Sequence, residues 1–112
     1  MSYDKNQVLH FFKWDHLPPH LQGMSKLFAE LAEKLDDMDD VTRGTEGYAQ
    51  AELLRTKLTK KLPKNLMKEL CIDKLREVED SCFEDYTLSE VLLSLLEAKD
   101  CAVRALLLKE ET

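Results

Sequence analysis

Apolar residues in this chain recur every three or four positions, and they do so along nearly its whole length. Leu17, Leu21, Met24, Phe28, Leu31 and Leu35 fall on one stripe when wound at about 3.6 residues per turn, and Glu30 and Lys34 make an i,i+4 pair outside it. Ala51, Leu54, Leu58 and Leu62 repeat the spacing, as do Met67, Cys71, Leu75 and Val78 after Pro63. A proline inside a helix removes a backbone hydrogen bond and clashes with the preceding turn, so Pro63 predicts two helices there rather than one. Val91, Leu95, Ala98 and Ala102 then form one row, with Leu92, Leu96 and Val103 on the adjacent row. No segment needs the two-residue alternation of a half-buried strand. With few β-branched runs and only 3 glycines, the expected class is all-α, a small helix bundle.

Local signals set the boundaries. Met1 to Lys13 reads as a polar arm ending in the apolar pair Phe11 and Phe12. Pro18-Pro19 marks a helix start at about Pro18, because the first turn has no use for the missing N–H. The run DDMDDVTRGTEG, Asp36 to Gly47, is expected to end that helix in a solvated acidic loop. It fails as a calcium-binding EF-hand: Asp37 and Asp39 have the opening spacing, but Thr42 stands where the turn glycine is needed and no glutamate follows in register. A second acidic patch, Glu77 to Asp85, leads into YTLSE, where Thr87 and Glu90 have the spacing of a capping box. The last helix should run from about Leu88 to near Lys109. The 112 residues suffice for one small core, hence a single domain over 1–112.

The charge balance restricts partners. A formal charge of -6 disfavours general affinity for DNA, RNA or an anionic membrane, so an anionic ligand would need a local cluster of donors. The stretch RTKLTKKLPK, Arg55 to Lys64, holds five basic residues but no interleaved aromatic, and reads as a solvated helix face. Three cysteines, Cys71, Cys82 and Cys101, fit reduced thiols better than a disulfide framework. With no signal peptide and no long apolar run, a soluble intracellular protein is expected. His16 and His20 are four apart, yet His16 precedes the prolines and no third ligand is near, so no metal and no cofactor are expected. Phosphate loops, nucleophile elbows and activated cysteines are lacking, and no enzyme is expected.

Two segments stand apart. Trp14 lies ahead of the helix and off its stripe, free to anchor the arm or to present a π-face to a planar ring. Lys26 is on the same helix outside the stripe, and Arg104 sits within the apolar tail AVRALLL, a setting more typical of a side chain that extends its charge to the surface.

Together, FxWDHLPPHLQxxSKxFAELAE and LLEAKDCAVRAL resemble the helical-hairpin family of phage anti-CBASS and anti-Thoeris proteins, over roughly Phe11 to Leu35 and Val91 to Leu106. Members are sponges that sequester cyclic-nucleotide immune signals. The resemblance implies a hairpin built from residues 11–35 and 88–109, interrupted here by a helical insertion over 36–87, where relatives usually have a short loop. It implies dimers or hexamers with cyclic dinucleotides such as cGAMP bound between protomers, and in some members cyclic trinucleotides or cyclic ADP-ribose isomers. It places Trp14 in a base-stacking role, His16, Leu17 and Pro18 in the adjoining turn, and Arg104 on a phosphate, with Lys26 the less direct match. It further implies action in the cytoplasm of an infected bacterial host.

Overall fold

The structure, a computed structural model, describes residues 5–83 and 86–108, and no strand occurs among them. Helix α1 (Lys5–His10) is followed by α2 (Pro19–Asp37), the single turn α3 (Asp40–Thr42), a π-helical turn (Arg43–Gly47), α4 (Tyr48–Lys61), α5 (Leu66–Phe83) and α6 (Leu88–Leu108). The expected all-α bundle is therefore what the chain forms.

Each start and stop has a local cause. Pro18 holds an extended backbone and Pro19 takes the first helical position of α2. Pro63 separates α4 from α5, and Asn65 caps the latter: its Oδ1 accepts the backbone N–H of Lys68 at 3.0 Å. The Thr87 hydroxyl accepts the Glu90 N–H at 3.2 Å, the forward half of the expected capping box. Lys109, Glu84 and Asp85, which the sequence placed at the end of α6 and in the second acidic patch, lie outside the described residues.

Antiparallel pairing of α5 and α6 is fixed at mid-length and at one end. Lys74 meets Glu97 at 3.1 Å, and the Asn65 amide donates to the Ala105 carbonyl at 3.0 Å. Helix α4 lies along α5, tied by Arg55 to Glu79 at 2.6 Å and by Tyr48 stacked at a tilt on Phe83, ring centroids 4.9 Å apart. Helix α2 packs against α6 and reaches α4 through Lys34, whose ammonium donates to Gln50. Phe28, Leu35, Leu58, Leu75, Leu92 and Leu95 are fully buried where these helices meet. Each such side chain contributes about 1.5–3 kcal/mol of burial.

Two expectations need correction. The polar arm is in part a helix: α1 buries Val8, and Phe12 just beyond it is buried as well, while Phe11 points outward. Val8 and Phe12 are four apart, one helical turn, a signal too short to read against the polar residues around it. The acidic stretch is likewise not a plain solvated loop. Asp39 Oδ1 accepts the Thr42 N–H at 2.7 Å, which caps a turn that continues into the π-helical segment and holds the Asp39 carboxyl below its ordinary pKa. Arg43, in that segment, is buried and donates to the Met38 carbonyl.

Candidate functional site

The segment between α1 and α2 builds a broad concavity. Successive tight turns carry the chain around it, with Phe12 N–H bonded to the Leu9 carbonyl at 3.1 Å and Leu17 N–H to that of Trp14 at 3.1 Å. Gln22, one turn into α2, folds its amide back to donate to the Leu17 carbonyl at 2.8 Å and the Asp15 carbonyl at 3.3 Å. The Trp14–Pro18 turn is thus pinned to the helix it precedes. Gln22 carried no signal in the sequence, since a glutamine on an exposed helical row normally faces water.

Beneath this segment lies a buried cation. Lys99 of α6 is only 7% exposed; its ammonium donates to the Phe11 carbonyl at 2.8 Å and sits 5.8 Å from the Phe12 ring centroid. Burial pulls its pKa below the ordinary lysine value, opposed by the nearby Asp100 carboxylate. Lys99 carried no signal in the sequence; the path of the N-terminal segment shows what it holds.

The groove so formed has a volume of about 570 Å³, within the usual range for small-molecule sites, and is walled by Phe12, Trp14, His16, Ala29, Ala32 and Glu33, among others. A second hollow of about 370 Å³ adjoins it, lined by His10, Phe11, Lys13 and His16. Lys13 and His16 face both.

The six residues singled out from the sequence divide. Trp14 is half-buried, packs against the core and lines the groove; His16 lines it too and is exposed. Lys26 is placed with Trp14, its ammonium 5.3 Å from the indole centroid, a cation–π arrangement. Leu17 and Pro18 belong to the turn that Gln22 clamps, Leu17 half-buried and Pro18 exposed. Arg104 is exposed on α6 and does not line the groove. The structure places Trp14 and His16 on the groove and Lys26 against Trp14, while neither Lys26 nor Arg104 lines the groove.

Other chemistry is sparse among the described residues. No group of three histidine, cysteine or acidic side chains could hold a metal. All three cysteines are free thiols; burial pushes Cys71 up to about 12 and Cys82 up to about 11, so neither is a ready nucleophile. Cys101, less buried, is raised too. No described helix is long and apolar enough to cross a membrane. Comparison with protein-family models, curated proteins and solved structures finds no match to this chain.

Proposed function

We propose that the chain is a phage anti-defence protein that binds and sequesters cyclic oligonucleotide second messengers, cyclic dinucleotides such as cGAMP foremost, without cleaving them, and so blunts CBASS or Thoeris signalling in the host cytoplasm. The observation that carries this reading is Trp14, which lines a groove of about 570 Å³ and holds the Lys26 ammonium 5.3 Å from its ring centroid, Lys26 itself standing outside the groove lining. Sequestration needs no nucleophile and no metal; it needs a flat aromatic face for a base and mobile cations for phosphates, on a surface whose shape is set beforehand. The Gln22 clamp and the buried Lys99 anchor provide that fixed shape. Lys26 moves from the indole to a phosphate as the base arrives, exchanging one favourable contact for another. Arg104 reaches the ligand from a second protomer in a dimer or hexamer, since it does not line the groove of its own chain. Cyclic trinucleotides and cyclic ADP-ribose isomers present the same chemistry.

A second reading, a structural or protein-interaction module without a small-molecule ligand, is favoured by one observation: Trp14 also packs against the core.

Isothermal titration against cyclic dinucleotides, cyclic trinucleotides and cyclic ADP-ribose isomers separates the two. The expected result is tight binding of at least one compound, recovered intact after heat release. Trp14→Ala should weaken it by the ~1–3 kcal/mol of a stacked base, about 5- to 150-fold. No binding across the panel, or a Trp14→Ala chain that binds as well as the parent, sinks the sponge reading. Recovery of cleaved ligand would make the protein an enzyme instead.

A further inference from the structure

The smaller hollow beside the groove is lined by basic side chains. His10, Phe11, Lys13 and His16 enclose its volume of about 370 Å³, and among the described residues no carboxylate joins them, although the chain as a whole carries a formal charge of -6. Asp15 and Glu33 line the groove instead. Tight backbone turns set the spacing of the basic groups: the Lys13 N–H is bonded to the His10 carbonyl at 3.3 Å, and His16 lies inside the turn that Leu17 closes on Trp14. The His10 ring stands edge-on to that of Phe11, centroids 6.0 Å apart.

The C-terminal end of a helix normally repels an anion, because its last carbonyls present their negative ends. The hollow lies at the close of α1, but there those carbonyls are occupied. Val8, Leu9 and His10 each accept a backbone N–H, and Phe11 accepts the Lys99 ammonium at 2.8 Å. Lys99 forms no ion pair with a described residue, so its positive charge stands behind the hollow without a carboxylate bound to it.

We infer that this hollow is a seat for a phosphate group, held by the Lys13 ammonium and by an imidazole N–H from each of His10 and His16. Lys13 and His16 face hollow and groove alike, so a phosphate seated there lies beside a ring stacked on Trp14, whereas Asp15 and Glu33 repel one placed in the groove itself. The ring and the phosphate are thereby assigned to different compartments. Where the phosphate is that of a cyclic nucleotide, the inference rests on the function proposed above, and it supplies a cation from the same protomer that supplies Trp14. A free phosphate presents the same oxygens.

Two probes test the seat: inorganic phosphate, followed through the amide signals of residues 10–16 in nitrogen–proton correlation spectra, and the tightest-binding cyclic nucleotide, followed by isothermal titration. His10 and Lys13 are exposed, and neither side chain hydrogen-bonds to another described residue, so the double variant Lys13→Ala, His10→Ala should fold as the parent does, which circular dichroism checks. Phosphate should shift the amides of residues 10–16 in the parent. The double variant should lose that response and bind the cyclic nucleotide roughly tenfold more weakly. Lys64→Ala, which removes the same charge from an exposed position between α4 and α5, should change neither. A double variant that answers both probes as the parent does overturns the seat and leaves the sponge reading standing; equal weakening by Lys64→Ala overturns it as a general charge effect. If no cyclic nucleotide binds, yet phosphate shifts these amides in the parent and not in the double variant, the sponge reading falls and the seat stands. A parent that answers neither probe overturns both.

Discussion

At the scale of single residues, two glycines in helical backbone have opposite consequences. Gly23, in the second turn of α2, has open space where a Cβ would stand. Alanine there fits freely and limits the unfolded chain, so Gly23→Ala should stabilise by about 0.8–1 kcal/mol. Gly47 ends the π-helical turn, and a Cβ there would meet Leu35 Cδ2 and Arg43 Cγ, both at 3.1 Å, with Cys82 Sγ at 3.4 Å. The arginine stem can bend, but Leu35 is fully buried and has no room to retreat. Overpacking of about 1–3 kcal/mol outweighs the propensity gain, so Gly47→Ala should lower the melting temperature while Gly23→Ala raises it. Thermal melts of the two variants beside the parent read both signs; a shift in the same direction for both would refute the packing argument at Gly47.

At the scale of elements, the ion pair between α4 and α5 rests on one buried carboxylate. The Glu79 side chain is 6% exposed and that of Arg55 24%, and the hydrogen bond between them raises the Arg55 pKa. Removing one partner leaves a buried charge alone, which typically costs ~3–5 kcal/mol, whereas replacing both by apolar groups is often nearly neutral. Because Arg55 is partly in water, Arg55→Ala belongs at or below the lower end of that range, with Arg55→Met, Glu79→Leu recovering most of the loss. Urea midpoints of the single and double variants check the ordering, and a double variant weaker than the single one would contradict it. This pair also shows where a sequence reading stops. The stripes from Leu17 to Leu35 and from Val91 to Val103 were legible because helical burial imposes a period, and Pro63 was legible because its effect is local. Arg55 looked like one more solvated cation among lysines, since its partner is 24 residues away and the pairing exists only once α4 lies on α5. Trp14 and Lys26 stood out through their position off the stripe, but their mutual contact, the Gln22 clamp and the role of Lys99 depend on how the N-terminal segment folds back.

At the scale of the whole molecule, buried titratable groups give stability a pH dependence with two opposed parts. Cys71 and Cys82 have folded values of about 12 and about 11 against an ordinary 9.0, both raised chiefly by burial. Above pH 9 the unfolded thiols release protons first, so this contribution is full below pH 9 and declines as pH rises through the folded values. At pH 10 each thiol withholds about 1.4 kcal/mol, the equivalent of one pKa unit. Lys99 acts the other way: burial lowers its folded value below 10.5, the unfolded chain then binds more protons, and stability rises with pH across that interval. Cys101, also raised by burial, acts with these thiols and against Lys99, and the thiols' share of the stability falls between pH 8 and pH 10. Cys71→Val, which keeps an apolar side chain in the α5 core, should flatten that fall by about 1.4 kcal/mol, and Lys99→Met should steepen it by removing the opposing contribution. Urea denaturation at both pH values measures each change as a difference between variant and parent, in which the other titrating groups cancel. An unchanged pH difference in Cys71→Val would mean that the thiol meets solvent more readily than its place in the core implies, and a flattened one in Lys99→Met would mean that the ammonium is held more tightly by the Phe11 carbonyl than burial opposes it.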